Sequence, residues 1–251
     1  MKVDFSGPYL KIERADQHIK SLEMLLGQYA SENKERFNPE FQRRQREEGL
    51  TFTEGKPDRH IPTTLGDALH NLRASLDHAF CLLILANGHN TTPYSKFPFG
   101  KDWPSIKGSI DGYIGKLNGP SIQVRDFIGS EAQPFPGGKH NLFDLHHLDI
   151  ADKHQCILPT LAKLDVKKMS LADASTGHAF MIIDTEEGDT MPDQFIISPG
   201  HQLQADEEDL ESAFNVLFGE GQPLANQKIM PTIIELRNSV LKILKSLEAL
   251  A

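Results

Sequence analysis

Residues 65–80 place a helical apolar pattern and an unusual set of polar side chains on one stretch of chain. At about 100° per residue, one flank of the predicted helix is apolar: Leu65, Ala68, Leu69, Leu72, Leu76, Ala79 and Leu83. The opposite flank is short-armed and polar, with Arg73 at its border: Asp67, His70, Asn71, Asp77, His78 and Cys81. A solvated helix face usually carries Lys and Glu, and this flank has almost none. The pattern therefore favours a lined groove or an internal polar network.

A second predicted helix, residues 141–158, has the same mixed character. Its apolar side consists of Leu142, Leu145, Leu148 and Cys156. Its polar side consists of His146, His147, Asp149, Asp152, Lys153 and His154. Asp149 and Lys153 are four residues apart, a spacing at which an ion pair stabilises a helix slightly. That pair explains only part of the cluster, since the histidines and Asp152 gain nothing from it.

The periodicity along the rest of the chain predicts a mainly α fold. We expect a helical bundle built from helices near 10–30, 62–87, 141–157 and 229–250, with shorter helices over 103–117 and 206–218. Strand-like segments between 165 and 198 predict a small antiparallel β appendage. We therefore expect one domain, residues 1–251, in which 1–160 and 201–251 form the helical body and 161–200 a β-rich insertion.

The net charge, the two cysteines and the length of the apolar runs restrict the class of protein. A net charge of −9 over 251 residues gives no protein-wide positive field to hold a long nucleic acid. This charge does not exclude the binding of a short or structured RNA in a local pocket. Cys81 and Cys156 lie in apolar helical patterns, which is typical of buried thiols in a reducing compartment. No stretch approaches 18 apolar residues. We expect a cytoplasmic protein that makes no use of a membrane.

Eleven histidines invite a metal-site interpretation. The spacings that commonly hold zinc, such as H-E-x-x-H and C-x-x-C, are absent, as are a P-loop and a G-x-S-x-G motif. His146 and Asp149 could share a metal at i and i+3, with His70 or His78 adding a ligand from the other helix. Hydrogen-bonded structural histidines fit the same residues, so we expect no metal and no other cofactor.

Arg73 and His78 form a different candidate site. Their Cβ directions on a helix diverge by roughly 140°, but both side chains could edge one groove between packed helices or subunits. A histidine titrates near neutrality and suits proton transfer in RNA cleavage, while an arginine holds phosphate and stabilises its developing charge. This hypothesis makes Arg73 and His78 catalytic. The supporting residues would be His70, Asn71, Asp77, Asp152, Lys153 and His154.

Two family resemblances follow from these motifs. Arg73-x4-His78 on a predicted helix resembles the R-x4-6-H motif of the HEPN superfamily. That likeness implies a HEPN-like helical bundle and a metal-independent endoribonuclease of a toxin–antitoxin or phage-defence system, with its site at a homodimer interface. The stretch from Gly66 to His78, G-D-A-L-H-N-L-R-x-x-L-D-H, together with D-K-H at 152–154, is similar to a family of uncharacterised bacterial and phage-associated proteins. This second likeness implies that the two polar helices act as a pair.

A structural interpretation competes with catalysis. Arg73 with Asp77, and Asp152 or Lys153 with His70 or His78, could form a buried ionic network that sets helix register while adding little stability. The alternative to a ribonuclease is therefore a non-catalytic binding or interaction protein whose polar helices form a structural or ligand-holding network. The sequence identifies neither a substrate nor an antitoxin partner.

Overall fold

The computed structural model describes residues 3–32, 40–44, 47–51, 58–114, 119–155, 160–173, 179–184, 194–197, 203–205, 211–219 and 221–251. In these ranges the α-helices are α1 Ser6–Glu32, α2 His60–Ala86, α3 Trp103–Ile114, α4 Ile122–Phe127, α5 Leu142–Gln155 and α6 Ile229–Glu248. A short π-helix, Ile128–Ala132, continues directly from α4. The predicted mainly α character is confirmed. None of the described helices has both the length and the apolar character needed to cross a bilayer.

The chain divides into two compact units. The helical unit comprises Met1–Leu25, Arg59–Pro159 and Phe218–Ala251, and the β unit comprises Leu26–Asp58 and Thr160–Leu217. The β unit therefore includes more of the chain than the predicted insertion at 161–200. In the helical unit, α2 packs against both α5 and α6.

The apolar flank of α2 forms the centre of the helical unit. Leu65, Leu69, Leu72 and Leu76 are fully buried, and burying a leucine side chain is worth about 1.5–3 kcal/mol. The helix ends at Ala86 because Gly88 takes a left-handed backbone (φ 79°), as the Asn-Gly pair in the sequence predicts. This buried flank fixes which side of α2 is left for polar groups.

The amphipathic stripe of α6 is docked in the same unit. The apolar residues that recur at helical spacing in α6 are all buried: Ile233, Leu236, Val240, Ile243, Leu244 and Leu247. Polar contacts to α1 lie on either side of this stripe. Arg237 forms a bidentate ion pair with Asp16, and the Tyr9 hydroxyl donates to Glu248 at 2.7 Å. Burial, then Glu248, raises the pKa of Tyr9 to about 12.

The β unit contains strands β1 Glu40–Arg44, β2 Glu47–Thr51, β3 Thr160–Asp173, β4 Ala179–Asp184, β5 Gln194–Ile197, β6 Leu203–Ala205 and β7 Glu211–Phe218. One sheet has the order β1-β2-β5, and the other has the order β4-β3-β6 with β7 also paired to β3. The pairs β1–β2, β2–β5, β3–β4 and β3–β6 are antiparallel, with Leu50 opposite Phe195 and Met169 opposite Ile183.

The predicted helix over 206–218 is wrong in its described part, because Glu211–Phe218 is strand β7. The segment fits both periods, since Phe214 and Leu217 have helical spacing while Phe214, Val216 and Phe218 alternate. Aromatic and β-branched residues favour a pleated surface, and pairing with β3 gives β7 a partner that a local pattern cannot reveal. The predicted helical body at 201–251 accordingly begins only at Phe218.

Candidate functional site

The polar flanks of α2 and α5 meet along one line. Asp152 lies against Gly66, Asp149 contacts His70, and His146 contacts Arg73. The partners on α5 step backward as those on α2 step forward, so the two helices run antiparallel. We call this line the polar seam, and it consists of Gly66, His70, Arg73, Asp77, His146, Asp149, Asp152 and Lys153.

Arg73 is the buried end of the polar seam. Its side chain is only 4% exposed and is ion-paired with Asp77, although its Nη1 atom lacks hydrogen-bond geometry in that contact. Its Nε atom donates to Nδ1 of His146 at 3.3 Å. Its guanidinium carbon lies 4.2 Å from the centre of the Phe99 ring, a cation–π contact. The guanidinium is therefore committed to the protein on three sides.

The aromatic loop at 93–100 encloses this end. The Phe97 backbone N–H donates to Oδ1 of Asp77 at 2.7 Å, and the Phe97 ring packs edge-on against Phe80 and Phe99. Phe99 in turn stacks on His146 at 4.3 Å. The loop thus packs over the seam and holds Asp77 within ion-pair distance of Arg73.

His146 is neutral at physiological pH. Burial, then the nearby positive charge of Arg73, lowers its pKa to about 4. Because Nδ1 accepts the hydrogen bond from Arg73, we assign the remaining ring proton to Nε2. His146 therefore accepts a hydrogen bond from the buried arginine without adding a second positive charge.

The other end of the seam reaches solvent. The His70 side chain is 46% exposed, and its Nδ1 lies 3.0 Å from Oδ1 of Asp149, which is only 4% exposed. The second carboxylate oxygen of Asp149 accepts from Nζ of Lys153 at 2.6 Å, and Lys153 is 48% exposed. Both oxygens of this buried carboxylate are therefore occupied, one by each helix.

Asp152 lies at the same end, directly over the backbone of α2. A Cβ atom on Gly66 would be 2.2 Å from Oδ1 of Asp152, so only glycine admits this approach. Burial, then Asp67, then Asp149, raises the pKa of the Asp152 carboxyl, while His70 and Lys153 oppose the shift. The glycine in the α2 motif thus has a packing role that involves α5.

Gly66→Ala is expected to lower the free energy of unfolding by about 1 kcal/mol at most, because the new methyl group displaces the Asp152 carboxyl, the movable end of that side chain, from α2. Gly108→Ala in α3 is the matched control, since a Cβ there meets none of the described residues within 4 Å. It should instead raise stability by about 0.5–1 kcal/mol, the usual gain from replacing a helical glycine. Urea unfolding of both variants measures the difference, and a stabilised Gly66→Ala would contradict the close contact.

Asn71 is committed to a local role beside the seam. It is buried, its Nδ2 donates to the Asp67 carbonyl at 2.8 Å, and its Oδ1 accepts from Lys11 of α1 at 3.5 Å. Asp67 itself is exposed, and its carboxylate lies 3.9 Å from Nδ1 of His18. These contacts join α1 to the solvent-facing end.

His78 does not join Arg73. It is exposed, and its Nδ1 lies 3.9 Å from where a Cβ on Gly7 of α1 would stand, whereas Arg73 is buried towards α5. The divergence expected from five-residue spacing is therefore observed. The structure brings together His70, Asp152 and Lys153, and it places Asp77 with Arg73. The side chain of His154 and all of Cys156 lie outside the described residues.

Cys81 is partly exposed rather than fully buried as predicted. Its thiol donates to the Ser95 carbonyl at 3.3 Å. Burial, then Asp77, raises the pKa of the thiol, so Cys81 is a poor nucleophile. Within the described residues, no three His, Cys, Asp or Glu side chains are grouped so that they could hold a metal ion.

Sequence reasoning left His146, Asp149 and Phe99 out of the candidate catalytic and supporting residues. Asp149 bridges His70 and Lys153. In the sequence, its i,i+4 spacing to Lys153 already accounted for it as one half of a helix-stabilising ion pair. Phe99 covers Arg73, and no short-range pattern reports a contact between residues 26 positions apart. The density of His and Asp in both helices was the available signal for Asp149.

Comparison with family models, with curated proteins and with solved structures finds no significant match to this chain.

Proposed function

We propose that the chain is a non-catalytic binding or interaction protein, in which the polar seam fixes the α2–α5 pair and holds a ligand at its solvent-facing end. The observation that carries this proposal is the burial of Arg73. Its side chain is 4% exposed and contacts Asp77, His146 and Phe99. Buried ionic groups of this kind commonly serve packing specificity.

The separation of Arg73 from His78 supports the same conclusion. Metal-free cleavage of RNA requires that the phosphate-holding and proton-transferring groups reach one reacting centre. Arg73 faces α5 and the aromatic loop, while His78 is exposed beside α1. A phosphate in contact with His78 would not meet the Arg73 guanidinium in this arrangement.

Metal-independent RNA cleavage by a HEPN-like dimer is the second candidate. The observation that favours it is the half-exposed His70, held by buried Asp149 and close to the Lys153 ammonium. An oriented imidazole with a cation nearby has the elements of acid–base chemistry on a phosphodiester. In this version His70 would replace His78 as the proton-transfer residue, and the HEPN likeness, a short or structured RNA substrate and the homodimer stay predictions.

Incubation of the purified protein with total RNA in EDTA separates the two candidates. We expect intact RNA with the wild type and with His78→Ala and His70→Gln prepared in parallel. Cleavage that His78→Ala abolishes would overturn the proposal in favour of the R-x4-H site. Cleavage lost only in His70→Gln would establish the second candidate, and cleavage that EDTA alone prevents would point to a metal.

A further inference from the structure

The two nitrogen atoms of His70 have different surroundings. Nδ1 lies 3.0 Å from Oδ1 of Asp149, and among the described residues Nε2 has no hydrogen-bond partner. Asp149 is almost fully buried and its other oxygen is bound to Lys153, which fixes the orientation of the carboxylate. A carboxylate accepts but does not donate, so the ring proton of neutral His70 belongs on Nδ1.

Three polar donors of the seam and its neighbours bond to acceptors other than His70, and none of the described residues donates to its Nε2 atom. Lys153 donates to Asp149, Lys11 donates to Asn71, and the Asn71 amide donates to the Asp67 carbonyl. The lone pair of His70 Nε2 is then a hydrogen-bond acceptor at the surface of the seam. A ligand that contacts this atom must bring the donor itself.

We infer that His70 is the ligand-contacting residue of the polar seam, that its Nε2 atom accepts a hydrogen bond from a hydroxyl or ammonium group of the ligand, and that Asp149 is the positioning residue that makes Nε2 the acceptor. The inference rests on the proposed function only in placing the ligand at the solvent-facing end. It deepens that proposal by assigning the donor chemistry of the ligand. A phosphate that donated to Nε2 would bring its negative charge close to Asp149, so we expect it to bind there more weakly than a neutral or cationic donor.

The tautomer of His70 can be read directly from the free protein. In protein labelled with ¹⁵N-histidine at pH 8, long-range ¹H–¹⁵N spectra should show the His70 proton on Nδ1, with His70→Gln identifying the signal. Asp149→Asn should lose this preference, because an amide can donate to the ring as well as accept from it. Asp144→Asn, which removes a half-buried carboxyl elsewhere on α5, should leave the His70 signal unchanged.

Several outcomes would overturn the inference. A wild-type His70 with its proton on Nε2, or as a mixture, would remove the basis for Asp149 as positioning residue. An Asp149→Asn spectrum identical to the wild type would do the same. If Asp149→Asn proves unfolded by circular dichroism, the wild-type spectrum still decides, and Lys153→Met, which keeps the acceptor, should retain the Nδ1 proton.

The donor chemistry is tested by titration at matched pH and ionic strength. Ethanolamine, which carries both a hydroxyl and an ammonium group, should shift the His70 Nε2 signal in the wild type and leave it in place in Asp149→Asn. Ethanol and methylamine as separate probes distinguish which donor is responsible. An equal or larger shift with inorganic phosphate, or no shift with any donor probe, would overturn the assigned ligand class. Cleaved RNA in the nuclease assay would overturn the proposed function and leave the tautomer of His70 unaffected, so the two proposals can fail separately.

Discussion

Asp77→Ala is expected to lower the free energy of unfolding by about 3–5 kcal/mol, because it removes the ionic partner of a buried arginine. Arg73 is 4% exposed, and its guanidinium brings a full positive charge into the seam. Without Asp77, its charge would be left with neutral His146 and the Phe99 ring. The Phe97 N–H would also lose its acceptor, which adds the cost of an unsatisfied donor.

Urea unfolding compares this variant with Asp126→Ala. Asp126 also pairs with an arginine, Arg125, but its side chain is 65% exposed. Exposed pairs contribute about 0.2–1 kcal/mol, so the control should stay within about 1 kcal/mol of the wild type. Similar losses in the two variants would contradict a structural role for Arg73 and Asp77.

A double variant separates charge burial from lost packing. Arg73→Met combined with Asp77→Ala removes the buried charge together with its partner. It should therefore be more stable than Asp77→Ala alone, because the penalty of an uncompensated guanidinium is gone. Losses that simply add would show that the two residues contribute independently.

The sequence predicted the parts of this fold that depend on local periodicity. The buried flank of α2 and the docked stripe of α6 follow from apolar residues at helical spacing, which bury the same face in any helical bundle. The divergence of Arg73 and His78 likewise follows from helix geometry alone. These features need no knowledge of what each helix packs against.

The contacts across the seam could not be predicted in the same way. That α2 and α5 act together was expected, but the pairing of His70 with Asp149 rather than with Asp152 or Lys153 depends on the register of two helices far apart in sequence. The burial of Arg73 depends on Phe99 of a distant loop. Strand β7 was missed for a related reason, because its pairing with β3 decides between two local periods.

His146 is expected to make the protein less stable in acid, by about 2–3 kcal/mol between pH 7.5 and 4.5. Burial and Arg73 lower its pKa to about 4 in the folded chain, against about 6.5 when unfolded. Between these values the unfolded chain binds a proton that the folded chain does not. Stability is therefore full above pH 6.5, falls as the pH drops towards 4, and levels off below that.

Other groups titrate in the same window, so the contribution of His146 must be taken as a difference. Burial lowers the pKa of His18 and His140, which adds to the acid loss. Burial raises the pKa of Asp144 and Asp152, which opposes it. Subtracting the free energy of unfolding of a His146→Gln variant from that of the wild type at each pH removes these shared contributions. Glutamine is a suitable replacement because its side-chain oxygen can still accept a hydrogen bond from Arg73.

Urea unfolding at pH 7.5, 5.5 and 4.5 then measures the effect. The stability advantage of the wild type over His146→Gln should shrink by about 2–3 kcal/mol across this range. His147→Gln, which alters the exposed neighbour on the same helix, should change the pH dependence of stability much less, because His147 contributes less to the His146 shift than burial and Arg73 do. Parallel profiles for the wild type and His146→Gln would mean that His146 takes up its proton without opening the seam. The surroundings of Arg73 would then accommodate a second positive charge. Arg73 would again be a candidate for binding phosphate, because its site would not be closed to further charged groups.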